Sequence, residues 1–581
     1  MSYVAAAIQF EPRQFDKEGN IAALLRLAEG AARDGARLIV TPEMGTTGYC
    51  WFDREEVAPF VEPVPGPTTD RFHAFARTHG VHIVIGMPEV DPETDLYYNA
   101  AVLIGPDGVV GTHRKTHPYI AEPKWSAPGN LGHQVFETPL GRIALLICMD
   151  LHFIETARLV GLQGADIICH ISNWLDERTP APYWISRAFE NGCYLIESNR
   201  WGLERTVQFS GGSCVIAPDG SIEAVVDKGD GAAVATIDLA RVATARNGLA
   251  GNLALRRPEL YPTLVGNPFT WTPSDYFSLY GHRPLPPGRR SRVAAVQMCP
   301  KGPHDDAKSH IARMTAEATE AGADLVVFPE LILAGPDAAE PVPGPSSRFL
   351  TELAARHRCH IVAGIAEQGE GVRYNSAVLV GPAGLISRHR KLHLAPDDQS
   401  WAQAGDAWTF ADTAIGRIGL LVGSDALVSE AGRVLALEGC DLIACPAALA
   451  GRFTLAHEGT RIAQNYPIPT GADPHHWHHF RCRAGENNVV FAFANQVDKA
   501  RGIEGKSGVF GADTFAFPRN EAIVFEGEGL AIAEIDTTNL DTKYPTSVIR
   551  RKDLVTMRLP QHYEPLVVGG TRKNSLAGLD K

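Results

Sequence analysis

The chain has 581 residues, of which 45% are hydrophobic and 21% charged, with a formal net charge of −13 at pH 7. That length exceeds what one hydrophobic core organises, so two large domains are expected, and the acidic balance argues against a nucleic-acid-binding surface built on clustered Lys and Arg. No apolar stretch reaches the ~18 residues of a membrane-crossing helix, Met1-Ser2-Tyr3-Val4-Ala5-Ala6-Ala7 carries no basic leader, and the cysteines stand singly with no CxxC pair, which reads as a cytoplasmic protein with reduced thiols.

In chain order, residues 18–35 carry Ile21, Leu24, Leu25, Ala28, Ala31 and Ala32 at the spacing of one helical face. Short β-branched runs follow at Arg37–Thr41, Val81–Gly86, Ala100–Ile104, Ile143–Cys148 and Asp166–His170, separated by helical stretches and Gly/Pro/Asp turns. Val102–Thr112, around Pro106-Asp107-Gly108, predicts a hairpin. The run Ile143-Ala144-Leu145-Leu146-Ile147 is unbroken in its apolar character and predicts a strand buried on both faces. It ends on Cys148 as Met149-Asp150 turns polar, the place where α/β enzymes set a nucleophile. Alternating strands and helices predict a layered α/β sandwich.

The whole pattern occurs twice. Val4-Ala5-Ala6-Ala7-Ile8-Gln9 recurs as Val293-Ala294-Ala295-Val296-Gln297, Pro42-Glu43 as Pro329-Glu330, Tyr98-Asn99 as Tyr374-Asn375, Arg114-Lys115 as Arg390-Lys391, and Gly141-Arg142-Ile143 as Gly416-Arg417-Ile418. Matches in one order at slowly drifting offsets mean duplication. The expected domains are 1–283 and 292–565, joined by a Pro/Gly/Arg-rich linker over 284–291 and followed by a tail over 566–581. Two such copies can pair within the chain as an internal pseudo-dimer.

Three residues of the first copy stand at strand ends: Glu43, Lys115 and Cys148. A catalytic thiol needs a proton acceptor and a positive neighbour. A partly buried Glu43 can take the proton, and Lys115 can hold the thiolate and then the oxyanion of a tetrahedral intermediate. In their flanking contexts these residues resemble the Glu-Lys-Cys triad of the nitrilase superfamily of carbon–nitrogen hydrolases, and both halves resemble that family over nearly their full length. The resemblance implies two tandem αββα-sandwich domains and no metal or organic cofactor. It implies Cys148 as nucleophile, Glu43 as base and then acid, Lys115 as oxyanion stabiliser, and Glu122 as an orienting carboxylate. A small-molecule amide and water are the implied partners, with neither nucleic acid nor membrane, and further self-association is left open.

Aligned through Gly416-Arg417-Ile418, the second copy keeps Glu330 and Lys391 but places Gly423 where Cys148 stands, with Ser424 next to it and Asp398 at the Glu122 position. It therefore reads as a pseudo-domain. It also gains a segment that includes His475-His476-Trp477-His478-His479, read as a polar or interface loop in preference to a metal site. Tyr49, Trp51, Asn173, Trp174 and Trp201 are the candidate substrate-binding residues, and Asp53, Glu55 and Glu56 either favour a cationic substrate or are simply solvated. Within the resembled family, Met149-Asp150 after the cysteine is closer to amidases and N-carbamoyl amidases than to true nitrilases, so the resemblance implies a carboxamide substrate, with N-carbamoyl cleavage second and nitrile hydrolysis third. The reading from another class is a non-catalytic binding or regulatory protein.

Overall fold

A computed structural model describes residues 1–119, 121–175, 177–266, 285–299, 304–465, 471–514, 521–542 and 545–568. Pro284, at the start of the expected linker, and most of the expected tail lie outside these. The chain forms two compact units, one built from Met1–Leu253 with Leu455–Trp477, the other from Ala254–Thr454 with His478–Gly569. They divide the chain differently from the repeat. Residues 254–266 belong to the second unit, where Tyr261 Oη and His393 Nε2 lie 2.7 Å apart and Arg256 pairs with Glu430 at 2.6 Å. Segment 455–477 of the second copy belongs to the first unit.

Within Met1–Leu253 the described strands are β1 (Ser2–Gln9), β2 (Ala36–Val40), β3 (His82–Val90), β4 (Tyr97–Gly105), β5 (Gly108–Arg114), β6 (Val135–Thr138), β7 (Gly141–Ile147), β8 (Ile167–Ser172), β9 (Tyr194–Asn199), β10 (Trp201–Glu204), β11 (Val207–Ser210), β12 (Cys214–Ile216), β13 (Ile222–Val225) and β14 (Gly231–Asp238). Two six-stranded sheets run β14-β1-β2-β3-β4-β5 and β13-β12-β9-β8-β7-β6, and β10 and β11 form a separate hairpin. The predicted hairpin is β4 with β5, closed across Pro106-Asp107. The predicted helix runs over Lys17–Arg33, with the Asp16 side chain capping it by accepting from the Gly19 N–H.

The period-2 alternation explains why the strand sequences read as solid apolar runs. Ala6, Ile8, Ile39, Ile83, Ile85, Val102 and Ile104 pack with Ile21, Leu24, Ala28 and Phe72 of the covering helices. Their neighbours Ala5, Ala7, Leu38, Val40 and Val84 are equally buried on the opposite face. β1, β2 and β3 are parallel, as are β7, β8 and β9. Glu43 follows β2, Cys148 follows β7 and Asn173 follows β8, so all three emerge at carboxyl ends of parallel strands, where open α/β sheets gather ligands.

The second unit repeats this order. Gly529–Asp536 pairs antiparallel with Arg290–Gln297, and Leu325–Val327, His360–Gln368, Arg373–Gly381 and Gly384–Arg390 continue that sheet. Its other sheet runs Phe410–Asp412, Arg417–Leu420, Leu442–Ala447, Val490–Asn495, Gly508–Phe510 and Ala522–Ile523.

The histidine-rich segment is not a loop. It is a strand, Asp473–His478, running straight into the helix His479–Asn487. His476, in the first unit, contacts the Pro180 carbonyl, and His478, in the second, contacts the Lys506 carbonyl. Among the described residues no group of three or more His, Cys, Asp or Glu side chains is placed to hold a metal ion, and no helix is long and apolar enough to cross a membrane.

Candidate active site

Cys148 is the first residue of a 3-10 turn, Cys148–His152, entered directly from β7. Its φ of +44° is a left-handed value that L side chains rarely adopt and that costs on the order of 1–3 kcal/mol. Asp150 holds it there. The buried carboxylate accepts from Ile147 N at 3.1 Å, Thr116 N at 3.1 Å, Thr116 Oγ1 at 2.8 Å and His117 N at 3.0 Å, and it pairs with His113 Nε2 at 2.9 Å and His117 Nδ1 at 3.1 Å. It thus ties the turn after β7 to the end of β5, the strand that delivers Lys115.

Glu43, Lys115 and Glu122 meet in one buried cluster. Lys115 Nζ donates to Glu43 Oε1 at 2.8 Å and to Glu122 Oε2 at 2.6 Å. Asn99 Nδ2 bridges the same two carboxylates at 2.7 and 2.6 Å. Glu43 Oε2 accepts from the Asn173 N–H at 2.6 Å, and the Asn173 backbone also acts on the Cys148 thiol in the direction that favours the thiolate.

Burial sets the protonation states. It pushes the Cys148 thiol well above its usual range, with the Glu43 charge adding to the rise against Lys115. It also raises Glu43, against the pull of Lys115. Burial alone would neutralise Lys115, but the Glu122 and Glu43 carboxylates outweigh it and hold the ammonium well above the ordinary lysine range. The resting site holds a neutral thiol beside a fixed cation and a poised base.

Tyr49 lies against this cluster, its Oη donating to Glu122 Oε2 at 3.2 Å and its ring edge-on to Phe209 at 5.9 Å. Trp174 stacks on His152 at 4.5 Å, next to the turn that carries Cys148. Asn173 is 2% exposed, and among the described residues neither its side-chain oxygen nor its nitrogen has a hydrogen-bond partner. Two other expected residues have partners of their own. Trp51 is a core residue, 1% exposed and packed on Phe15 and Phe60 at 5.4 and 5.1 Å. Trp201 is half-buried on β10 with its Nε1 on Asp230 at 2.7 Å, and no described hydrogen bond or ring contact joins it to the cluster. A tryptophan near a catalytic glutamate in sequence can serve the pocket or the packing beneath it, and only the fold distinguishes them. Asp53 caps the short helix Arg54–Val57, and Glu56 accepts from Phe52 N and pairs with Arg205, so these carboxylates do local structural work.

Sequence reasoning missed Asn99, Asp150 and its histidines as site residues. A signal existed. Tyr98-Asn99 returns as Tyr374-Asn375, and His113-Arg114-Lys115 as His389-Arg390-Lys391, recurrences too exact in place to be surface chance.

The second unit holds the matching cluster without its thiol. Lys391 Nζ lies 2.9 Å from Glu330 Oε1 and 2.6 Å from Asp398 Oδ2, with Asn375 Nδ2 on Asp398 at 2.8 Å. Gly423 keeps the left-handed backbone of the nucleophile position at φ +46°. A Cβ there would meet Glu330 Oε2 at 2.5 Å and Lys391 Nζ at 3.0 Å. Ser424 points elsewhere, its hydroxyl donating to the His393 carbonyl at 2.5 Å. Gly423→Ala is expected to cost about 1–2 kcal/mol, from strain at positive φ and displacement of Glu330, and to leave turnover unchanged. A folded variant with lost turnover would show that this cluster takes part in the chemistry.

The family model described as carbon–nitrogen hydrolase matches residues 4–247 and 292–542. The chain is 36% identical over 259 residues to a nitrilase of Pyrococcus abyssi, covering 44% of this chain and 98% of that protein. It is 32% identical over 288 residues to the N-carbamoylputrescine amidase of Solanum lycopersicum, covering 45% and 94% respectively. It is also similar to the solved structure of a carbon–nitrogen hydrolase from Helicobacter pylori, with 25% identity, a TM-score of 0.40, and coverage of 45% of this chain and 98% of that one. Each of these relatives is about one copy long.

Proposed function

Because the chain belongs to the carbon–nitrogen hydrolase family, we propose that it is a cysteine-dependent amidase that hydrolyses a small carboxamide to acid and ammonia through a thioester. Action on non-peptide C–N bonds is the common ground of its relatives. The observation that carries the finer reading is the convergence of Glu43, Lys115 and Glu122 on the turn that begins with Cys148, in one unit only.

In this reading Cys148 Sγ attacks the amide carbonyl while its proton passes to Glu43, so a buried thiolate never has to stand free. The carbonyl oxygen, now an oxyanion, is met by the Lys115 ammonium, which Glu122, itself held by Asn99, keeps in place without reorganisation. Glu43 hands its proton to the departing nitrogen, and ammonia leaves. Water then enters, gives a proton to Glu43 and cleaves the thioester, returning the thiol. The unpartnered carboxamide of Asn173 supports a polar contact to the substrate, since leaving such a buried group unmet costs about 1–3 kcal/mol. The corresponding residue in the second unit, whose N–H meets Glu330 Oε2 at 3.0 Å, is Ala448. Ten free thiols support a reducing, cytoplasmic setting.

The test is ammonia release from a panel of primary amides, N-carbamoyl compounds and nitriles. A primary amide as best substrate is the expected result. An N-carbamoyl compound or a nitrile in its place would correct the substrate class, and no release from any of them would favour a binding protein. The acid limb of the kcat/KM profile is expected above the ordinary glutamate value of ~4.3, because burial raises Glu43 and activity falls as it takes up a proton. An acid limb at or below that value would remove Glu43 as the base.

A further inference from the structure

Beneath the nucleophile lies a second buried polar group that the chemistry above does not use. His170 on β8 approaches the Cys148 carbonyl with Nε2 at 3.1 Å. Its Nδ1 pairs with Glu197 Oε2 on the neighbouring β9, and Ser172 Oγ donates to Glu197 Oε1. All three residues are fully buried. A carbonyl oxygen can only accept, so Nε2 must carry a hydrogen, and the Nδ1–Glu197 contact then holds one further proton between ring and carboxyl.

The second unit provides an internal control. Strand register equates Ile167 with Leu442 and Tyr194 with Val490, which places Cys445 at His170, Ala447 at Ser172 and Phe493 at Glu197. Residues that only hold the scaffold persist. Asp150 has Asp425, pairing likewise with two histidines, and Asn199, which accepts from Trp174 N at 2.8 Å, has Asn495 accepting from Leu449 N at 2.8 Å. The His–Ser–Glu group is missing where the nucleophile is missing, as are the side chains of Asn173 and Trp174, replaced by Ala448 and Leu449, and the fold stands without it.

We propose that His170, Ser172 and Glu197 form a positioning device for acylation of Cys148, acting through the Cys148–Met149 peptide bond. The His170 N–H on the carbonyl end fixes that peptide's orientation at the strained elbow. It also polarises the peptide, so that the N–H at its other end, that of Met149, becomes a stronger donor. In nucleophile elbows the N–H following the nucleophile is well placed to meet the oxyanion. Glu197 holds the ring, and Ser172 holds Glu197.

The inference rests on Cys148 being the nucleophile. It is tested with the second unit's own residues, in the full-length variant His170→Cys/Ser172→Ala/Glu197→Phe, alongside His170→Cys and Glu197→Gln. In the triple variant kcat for the best amide is expected to fall roughly tenfold or more, a fraction of what losing an oxyanion donor costs, with KM within about threefold of wild type. Acylation by p-nitrophenyl acetate, which forms the thioester and releases p-nitrophenolate, slows to the same degree. His170→Cys carries the same expectation alone, should the triple variant fail to fold. Glu197→Gln can still hold the ring through its amide and retains most of the rate. A folded triple or His170→Cys variant with wild-type kcat and acylation rate overturns the proposal, as does a Glu197→Gln loss as deep as the triple's. If wild type released no ammonia from any compound yet still gave the nitrophenolate burst, the amidase reading would fall while the acylation rates continued to decide this one.

Discussion

Cys148→Ala is expected to lower ammonia release by about 10⁴-fold or more, as loss of a nucleophile does when the remaining groups act as one unit with it. No other group can stand in. Ser424's counterpart position in the first copy is Met149, and Cys50, the other thiol of the neighbouring loop, faces Glu204 with its pKa pushed up to about 12 by burial and the Glu204 charge. Glu43→Gln is the companion variant. It leaves the thiol in place but removes the base, and is expected to cost about 10²- to 10⁴-fold in turnover while iodoacetamide still labels Cys148. Mass spectrometry of the labelled protein separates the two cases. Turnover surviving in Cys148→Ala would end the assignment of the nucleophile.

Asp150→Asn is expected to destabilise the first unit by about 3–5 kcal/mol, the cost of breaking a buried ionic network from one side. One acceptor oxygen becomes a donor that faces donors already in place, and the elbow loses what holds Cys148 at positive φ. Acylation of Cys148 should fail in the same variant even under conditions where it remains folded. Asp425→Asn should destabilise the second unit comparably and leave acylation near wild type. Urea unfolding followed by intrinsic fluorescence, read against p-nitrophenyl acetate acylation, distinguishes these outcomes; equal acylation in wild type and Asp150→Asn would remove Asp150 from the support of the elbow. The pH dependence has a definite sign. Burial would raise Asp150, but its hydrogen bonds to His113 and His117 outweigh that and hold the carboxyl well below the usual aspartate range. Its contribution is therefore present above the unfolded value of ~3.9 and is lost as pH falls through the depressed folded value. Asp425 is depressed in the same way by His389 and His393. Wild type should lose stability in acid from both carboxylates, and Asp150→Asn should show a shallower acid dependence.

Glu43 and Cys148 stood out as candidates because each follows a strand whose apolar run is unmistakable, and Lys115 because the chemistry of a thiol demands such a partner. Gly423 was legible because duplication supplies its own alignment. Trp51 could not be placed from the sequence because aromatic residues suit a core and a pocket equally. Residues 254–266 and 455–477 crossed the expected boundaries because their anchors, Tyr261 and Trp477 among them, look like ordinary apolar residues of connecting chain until their partners are known.

By itself, then, the amino-acid order determined the duplication, the strand and helix alternation, the family and which copy keeps a cysteine at the strand end. All of these depend on residue type and on spacing along a single segment. The tertiary structure alone decided what surrounds that cysteine. Asn173 N reaches Glu43 from 130 residues away, Asp150 locks β7 to β5, and His170 meets Glu197 across the β8–β9 register. Such contacts are set by which strands lie side by side and in what register, and no local pattern in the chain encodes the pairing of two particular distant polar residues.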